Sequence, residues 1–574
     1  MRDHENQVLR QYAEEVRDGM MIEMSLGEAI DEYGSDLVIA ATGAIAKKGK
    51  APDDEVRVIY DGTHGVALNY GIKIRDQVRF PTAPDVKVML SEIAEEPGPN
   101  FSLDFDVSKA HRRCQVLRAE WGRQACQVKG SAAATFQEKR TLRNGRKVIQ
   151  KSDFSQAQLD EKVYLNKVGT FGVTSAGYWW GRTGGATVRV SHYVIGFEDA
   201  VWALLYSDDG KIVGRTDHFE RGIMLYFWVM VILGIPLAWK KVKGGHATEW
   251  IGYWVDVGRF EMGISASRAA WAANWLHDKA AEGSMRLGEL REGLGRLQFI
   301  AGPIESIRPF LGPLYAWACA GPRYTTAKIP IMILLIMKYL AGELRASHTC
   351  SCERRVSQLG EVFRLDAKAE GETVSIGGWR SKDTSVTKEA YWFSVQLTRV
   401  NAPWAFARGE PFRTIASLEL LGVLVGLMTL VPEGEDRGEA AATLSLSCGT
   451  DNRGNSYLLD RMLTTKYPLG VILMELAHQM RRRRLVLRAH WLPRDQNEEA
   501  DALTNFDFRH FDMGKRLAVD LDKMNFQVLP DLFACGESFY SELKAKREEE
   551  KARGQTRRDR AEGKRRKSDG LGPW

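Results

Sequence analysis

Hydrophobic positions along this chain alternate between two spacings, and the changes outline its elements. Val56 to Tyr60 (VRVIY) is a β-branched run closed by Asp61-Gly62, which predicts a strand ending in a loop. Residues 1 to about 50 before it are mixed in charge and read as helical. A second β-type run, from about Phe101 to Val107, leads into a predicted helix from Lys109 to Ala125. Ala203-Leu-Leu-Tyr206 and the residues after Gly210 read as two strands flanking a tight Ser-Asp208-Asp209-Gly210 turn. Ile223 to Trp239 is seventeen apolar residues, close to the lower limit for spanning a bilayer. Gly234 and Pro236 interrupt it, so it reads as a buried helix to about Leu233, a turn and a core strand. A protein anchored in a membrane by this stretch is kept as a third reading.

From Ser265 to Ile300 the pattern is helical, with Trp271 and Trp275 one turn apart as helix packing predicts; Ile329 to Met337 reads as another buried element. A polar Ser/Cys-rich patch from Ser347 to Arg355 ends that region, and a strand-rich unit starts near Val362. Within it, Arg364-Leu-Asp366 and Ile376-Gly-Gly-Trp379 are strands joined through Gly371, and Ser417-Leu-Glu419 opens a helical pattern. Leu444 to Asn452 is a strand ending in Asp451, and Asn497-Glu-Glu-Ala-Asp501 opens a late helix. No internal repeat at a fixed period is present.

Composition sharpens this picture at two points. With 574 residues and 44% hydrophobic content, the chain can bury several cores, which excludes disorder throughout. Net charge is +6, but the segment from Lys544 to Lys567 holds twelve Lys/Arg against five Asp/Glu, leaving the remainder near −1. That tail reads either as a solvated, partly helical or disordered end or as a phosphate-binding or nuclear-import element. Lys139 to Lys151 carries six basic residues and no acid, so it is either a backbone-contacting hairpin or a solvated loop. Seven cysteines without C-x-x-C spacing and a charged N-terminus fit a reducing intracellular compartment, cytoplasm or nucleus, with Cys350-Ser-Cys352 incidental.

The acids carry the chemistry. Asp106 with Asp208-Asp209, then Asp366, Glu419, Asp451 and Asp501, form two groups, each suited to cradle two divalent metals. Two metals about 4 Å apart clamp the attacking and leaving oxygens of a phosphoryl displacement, so two such groups suggest a chain that handles nucleic acid twice. Taken singly, an Asp-Asp-Gly turn is an ordinary hairpin and a lone acid a solvated side chain; their order and spacing raise the signal.

Over residues 40–257 the chain resembles the reverse transcriptase family, through six motifs in order. Arg57-Val-Ile-Tyr-Asp61 resembles the fingers strand whose arginine meets the triphosphate, with Lys47, Lys48 and Lys50 as candidate partners. Asp106-x-x-x-Ala110 resembles the first palm motif, and Gly169-Thr-Phe171-Gly172-Val-Thr-Ser-Ala176 the loop and helix that support the template and the new base pair. Tyr206-Ser-Asp208-Asp209 is similar to the Tyr-x-Asp-Asp turn, Trp239-Lys240-Lys241 to the lysine motif, and Glu249-Trp-Ile-Gly252-Tyr to the primer grip. The resemblance implies that Asp106 and Asp208 bind two Mg²⁺ (or Mn²⁺), with Asp209 supporting, and that Lys240 or Lys241 protonates pyrophosphate. It also implies contacts from Arg57, Lys50, Ala110, His111, Phe171 and Gly172 to the incoming nucleotide. Two positions depart from the family: His111 stands where a Phe or Tyr gates the sugar 2′-hydroxyl, and Thr170 where proline is common, with a local backbone effect expected.

Residues 360 to about 507 resemble the RNase H domain that follows polymerases in retroelements, most specifically at Thr-Asp451-Asn and Asn497-x-x-Ala-Asp501. This implies hydrolysis of RNA in RNA/DNA hybrids, with Asp366, Glu419, Asp451 and Asp501 holding two Mg²⁺. The gap from Asp366 to Glu419 is long for the family, and Arg481 to Arg484 beside this site is expected to grip hybrid backbone. The expected architecture is multidomain α+β: a right-hand polymerase with a ferredoxin-like palm, then an RNase H-like α/β domain. Its expected segments are 1–257 fingers and palm, 258–346 helical thumb and connection, 347–359 linker, 360–510 RNase H-like domain, and 511–574 an extension with a basic, disordered tail. Partners would be RNA and DNA template-primer, hybrid and dNTPs, with no membrane. The order of domains is that of LTR-type and DIRS-like elements; without an aspartic-protease or zinc-type integrase pattern, the chain reads as part of a larger element or a truncated copy. The alternative is an inactive, domesticated copy that binds nucleic acid alone.

Overall fold

The computed structural model describes residues 4–46, 56–64, 66–95, 98–128, 149–196, 201–217, 219–352, 358–382, 384, 386–407, 409–431 and 444–552. They build a mixed α+β chain with two compact units, one drawn from residues 1–81 and 99–245 and the other from 82–98 and 246–555. Lys50 with Lys47 and Lys48, most of the basic insert and the tail beyond Ala552 lie outside the described residues.

The first unit contains α1 (Glu5–Arg17), β1 (Met21–Ser25), α2 (Leu26–Tyr33), β2 (Ile39–Ala40), β3 (Thr42–Ala46), β4 (Val56–Tyr60), β5 (Asn100–Asp106), β6 (Ala125–Cys126) and β7 (Lys162–Asn166). It continues through α3 (Thr174–Ile195), β8 (Val201–Tyr206), β9 (Asp209–Arg215), α4 (Phe219–Ile232) and β10 (Lys243–Gly245). The opening residues, expected to be helical, hold α1 and α2 but also the strands β1, β2 and β3. Long-range pairing decides this: β1 lies against β7, some 140 residues later, in the sheet β1-β7-β6-β2. The helix expected from Lys109 to Ala125 is also absent. Lys109 takes φ 50°, and the segment forms two 3₁₀ turns, Ala110–Arg113 and Arg118–Gln124. Between them Gln115 bridges Val168 and the Val116 N–H donates to the Lys167 carbonyl at 3.0 Å.

Sheet β10-β5-β9-β8 is antiparallel throughout, and with α3 and α4 between its strands it has the β-α-β-β-α-β, ferredoxin-like order. Phe105, Ile212, Trp180, Tyr226 and Met230 share its core. Gly210 lies beneath the Phe105 ring, where any side chain would collide with it. Helix α4 departs from the buried helix expected: Phe219, Tyr226, Val229 and Met230 face the core, while Trp228 is 65% and Ile232 76% exposed.

The second unit takes a helix at Ala83–Ile93 and then β11 (Ala247–Trp250), β12 (Tyr253–Asp256), β13 (Glu261–Ile264), α5 (Ala266–Glu282), β14 (Ser284–Arg286), α6 (Leu287–Ile300), α7 (Leu311–Ala318), β15 (Thr326–Lys328), α8 (Ile331–Ala346) and β16 (Thr349–Ser351). Trp271 and Trp275 stack at 6.2 Å, and Trp275 fills the space left by Gly293 on α6. Then come β17 (Gln358–Glu370), β18 (Thr373–Trp379), β19 (Trp392–Leu397), α9 (Ile415–Leu430), β20 (Leu444–Thr450), α10 (Arg453–Arg461), α11 (Leu469–Arg482), β21 (Leu485–Trp491), α12 (Glu498–Thr504) and α13 (Leu529–Ala552). The sheet order is β19-β18-β17-β20-β21, with β20 parallel to both β17 and β21 and the hairpins antiparallel, the RNase H-like order expected. Strands β18 and β19 occupy the long Asp366-to-Glu419 interval. Residues Pro411–Leu430 are, among the described residues, the one helical stretch long and apolar enough to cross a membrane, and most of it is buried inside this unit.

Helix α13 carries the chain into the basic segment as far as Ala552. Its start is fixed by Glu475, which is fully buried on α11 and accepts the N–H groups of Val528 at 2.8 Å and Leu529 at 3.0 Å. These are donors that a helix N-terminus leaves without partners. Replacing Glu475 with Ala should destabilise the chain by about 2–3 kcal/mol, as expected when buried donors lose a charged acceptor. Denaturant titration would register the loss, and hydrogen exchange should place it at residues 527–535; uniform exchange across the unit would contradict the assignment.

Candidate active sites

In the first unit, β5 and β9 pair so that Asp106 lies directly opposite Asp209. Ser207, at φ 56°, turns β8 into β9 and sets Asp208 at the tip. The Asp208 carbonyl accepts the Val107 N–H at 2.8 Å, and the Asp106 carbonyl accepts the Ala238 N–H at 2.8 Å, so three backbone segments are pinned together. Lys241 reaches Asp106 with Nζ–Oδ2 at 2.7 Å, which singles it out over Lys240 as the basic group at this site. Asp209 is pushed above its ordinary pKa by burial first, then by Asp208 and Asp106, with Lys241 opposing.

Strand side chains alternate, so the next rung on that face is the pair Asp104 and Lys211, ion-paired at 2.8 Å and both buried. Burial lowers the pKa of Lys211, and Asp104 counteracts it.

In place of the α-helix expected from Lys109, the chain after Asp106 enters the 3₁₀ turn that begins at buried Ala110. His111 follows, its ring 6.2 Å from that of Phe171 in an edge-on contact. Burial lowers its pKa while Asp208 raises it. The loop behind it is tightly specified. Gly172 has φ 105° and sits against the Tyr60 carbonyl, and a side chain at Gly169 would come within 2.5 Å of the His111 carbonyl oxygen. Asn69, which sequence reading passed over, ties the loop down: its Nδ2 donates to the Gly172 carbonyl at 2.9 Å and its Oδ1 accepts the Thr174 N–H at 2.9 Å. Thr170 is buried and accepts from Arg112 at 3.4 Å, so it does more than adjust the backbone. Arg57 lies on β4 opposite Ile45.

In the second unit, Asp366 on β17, Glu419 on α9 and Asp451 at the end of β20 converge, with ligand atoms all within 4.8 Å of one another. They are the one such group among the described residues. Three hard carboxylate oxygens at this spacing fit Mg²⁺ or Mn²⁺. Asp366 is pushed up to about 7, by burial and then by Asp451; Thr504 donates to it at 3.0 Å and opposes the rise. Glu419 is raised well above the carboxylate range by burial, Asp366 and Asp451. Asp501 stands at the edge of this trio: its carboxylate accepts from Asn505 at 2.9 Å while its charge still raises Asp366. Arg494 lies against Asp451, Nε–Oδ2 at 3.4 Å. Thr504, Asn505 and Arg494 were missed in the sequence because ordinary polar residues near a helix carry no pattern.

The arginine run is not beside these acids. Leu444 pairs with Leu485 and Thr450 with Trp491, so Arg484 precedes the strand ends opposite Asp451. Arg481 pairs with Glu343 at 2.5 Å, and Arg483 is buried, donating to the Leu427 and Val431 carbonyls. The expected grip on hybrid backbone gives way to a structural role for these two. On β11–β12, Gly252 has φ 92° and accepts from Arg268 at 2.9 Å, which stabilises the turn resembling a primer grip.

No family model matches the chain, and no curated protein matches it. Among solved structures it is similar to a foamy viral protease-reverse transcriptase, dRH form, in complex with double-stranded DNA: 11% identity, TM-score 0.42, over 83% of this chain and 68% of that one. The foamy viral protease-reverse transcriptase with an RNA/DNA hybrid gives 12%, TM-score 0.41, 83% and 52%; this chain spans about half its length. The same viral protein with double-stranded DNA gives 12%, TM-score 0.42, 85% and 83%. The likeness is one of fold.

The acid trio predicts a pH dependence. Unfolded Asp366 loses its proton near its ordinary value of 3.8, folded Asp366 near 7. The folded chain therefore binds the extra proton between these values, and its stability should fall as pH rises through that window, by a few kcal/mol at most. The melting temperature of metal-free protein should drop between pH 5 and pH 8, and Asp366→Asn should flatten the drop; parallel curves for the two would contradict the assignment.

Proposed function

We propose that this chain is an RNA-directed DNA polymerase, adding dNTPs to a primer on an RNA or DNA template, with a second site that hydrolyses RNA in RNA/DNA hybrids. The observation that supports it most is the β5–β9 register, which sets Asp106 against Asp209 beside the Asp208 turn with Lys241 in contact. The residues fit divalent cations: Asp106 and Asp208 in the first unit, and Asp366, Glu419, Asp451 and the adjacent Asp501 in the second, would hold Mg²⁺. When bound, these ions supply charge neutralisation and Lewis acidity for phosphoryl transfer.

The side chains account for the remaining steps. Lys241, one hydrogen bond from Asp106, is placed to give a proton to departing pyrophosphate. The Gly169–Gly172 loop, held by Asn69 and β4, backs the incoming nucleotide, and Phe171 with His111 lines its sugar side. Arg57 and Lys50 are proposed to meet the triphosphate. Thr504 and Thr450 orient Asp366 and Glu419 by donating to their carboxylates at 3.0 and 3.4 Å. In this reading residues 1–257 serve as fingers and palm, 258–346 as thumb and connection, and 360–510 as the hybrid nuclease. The source would be an LTR- or DIRS-like retroelement, and the site of action intracellular.

Primer extension on RNA with Mg²⁺ tests the first site. Changing both Asp208 and Asp209 to Ala should reduce incorporation by roughly 100-fold or more, while Asp366→Asn should leave incorporation intact and abolish hybrid cleavage. Folded, template-bound parent protein that incorporates nothing would point to a copy that only binds. His111 offers an independent check, since imidazole fills less of the sugar pocket than a phenyl ring. His111→Phe should lower ribonucleotide incorporation relative to deoxyribonucleotide, and an unchanged ratio would remove His111 from the gate.

A further inference from the structure

Strand β16 and the residue after it carry Cys350 and Cys352, a spacing that reads as incidental in the sequence. In the fold they stand where three segments meet. β16 is the edge of the sheet β11-β12-β13-β16, with Cys350 opposite Met262 and Ser351 opposite Glu261. The Cys352 N–H donates to the Phe260 carbonyl at 2.7 Å, and the Cys352 carbonyl accepts from Ser91, on the helix Ala83–Ile93, at 3.0 Å. The Cys350 thiol donates to the carbonyl of Pro303, in the loop after α6, at 3.0 Å. Lys87, one turn before Ser91, binds Glu305 of that loop at 2.9 Å.

These two cysteines differ from the others in their surroundings. Cys126 and Cys448 are buried, and burial pushes both thiols up, that of Cys126 to about 11. Burial also raises Cys114 and Cys535. Such thiols act as small packing groups. Cys350 moves the other way. The Cys352 thiol donates a hydrogen bond to its sulfur and the Lys87 ammonium assists, while burial, Glu305, Glu261 and the Pro303 carbonyl oppose. Cys352 is pushed up by the same hydrogen bond, then by burial and the charge of Cys350. Both side chains are only partly covered, so a small oxidant can reach them. One sulfur is prepared to attack, and its neighbour keeps a proton while touching it. That is the relation of a reacting cysteine to a resolving one.

We infer that Cys350 and Cys352 form a reversible redox site, in which a peroxide oxidises Cys350 and Cys352 closes a disulfide that loosens β16 from β13. The Cys350 thiolate takes one oxygen from hydrogen peroxide as the O–O bond breaks, and the hydroxide released leaves as water after gaining a proton. The Cys352 sulfur then attacks the sulfenic sulfur, and its proton departs with the sulfenic hydroxyl as a second water. Two thiols lose two hydrogens and two electrons, and the peroxide gains them. A dithiol reductant reverses the step by exchange.

Closure changes the strand. Residues two apart on a strand point to one face at a spacing of about 6.6 Å, whereas a disulfide brings its Cβ atoms to about 4 Å. The chain must therefore bend at Ser351, which breaks the pairing with Glu261 and Met262. β13 also pairs with β12, so the oxidation state is felt in the sheet that carries the Gly252 turn. Nothing in this site depends on primer extension or hybrid cleavage, so it stands whichever way those assays fall.

The full-length chain would be treated with near-stoichiometric hydrogen peroxide, quenched with iodoacetamide and digested with trypsin. Arg345 and Arg354 bracket a peptide that holds both cysteines. This peptide should lose two hydrogens and escape alkylation about tenfold faster than the exposed Cys319 is lost, and dithiothreitol should restore it. Lys87→Met should slow its oxidation several-fold. Cys352→Ser should leave Cys350 as a sulfenic acid that dimedone captures, whereas Cys350→Ser should leave Cys352 open to alkylation. Hydrogen exchange across Glu261–Ile264 should quicken in the oxidised chain and recover on reduction. Oxidation of Cys319 first, or sulfinic acid at Cys350 without a disulfide, would overturn the site. A disulfide with unchanged exchange at Glu261–Ile264 would overturn the release of β16. The parent chain decides both points by itself, even where a variant fails to fold.

Discussion

Like charges resist being held together, and this protein gathers carboxylates at two places. Both gatherings stand at the ends or rims of sheets whose strands cannot easily move apart. At the first, Asp106 and Asp209 are opposed by backbone register, and Lys241 supplies one positive charge. Beneath them Asp104 and Lys211 form a sealed ion pair, which is costly to desolvate and strongly dependent on both partners remaining. The second solution differs. Asp366 and Glu419 are buried, and among the described residues no cation pairs with this trio beyond Arg494 on Asp451, so burial and repulsion favour their protonated forms. Such a trio could hold a divalent cation, which would relieve the repulsion in competition with the protons.

What the sequence revealed follows from which features are local. Strand ends with an acid after a run of alternating apolar and polar residues, such as Leu103-Asp-Phe-Asp106 and Leu446-to-Asp451, are written in a few consecutive residues, and they lie where expected. Features set by partners far along the chain were not legible. Met21–Ser25 pairs with Lys162–Asn166, a separation no local pattern encodes. The segment after Lys109 has the composition of a helix but is drawn into 3₁₀ turns by its contact with Val168. Charge runs misled for a related reason: Arg481 and Arg483 look available in the sequence, but folding provides them with Glu343 and with buried carbonyls.

Among the polar residues around the sites, the same distinction holds. Asp366, Glu419 and Asp451 were readable because carboxylates in this order along the chain are conspicuous, although Asp366 and Glu419 lie inside their elements and not at the ends; Asn69 and Thr504 became significant only through partners far along the chain. The surroundings of Cys350 and Cys352 belong to this second kind. Lys87, Ser91 and Pro303 lie far back along the chain, and the meeting of three segments assembles them around the two thiols.

The anchoring of α13 by Glu475 bears on how the second unit can be divided. A fragment cut near residue 510, where the motifs end, would keep all four acids. It would also strip Leu532, Phe539 and Leu543 from the core they share with α9 and α11 and leave the Glu475 carboxylate in an apolar setting without its backbone donors. The smallest autonomous form of this nuclease-like region is therefore set by a helix that contributes no chemistry, and it extends well past the last residue that any sequence motif would include.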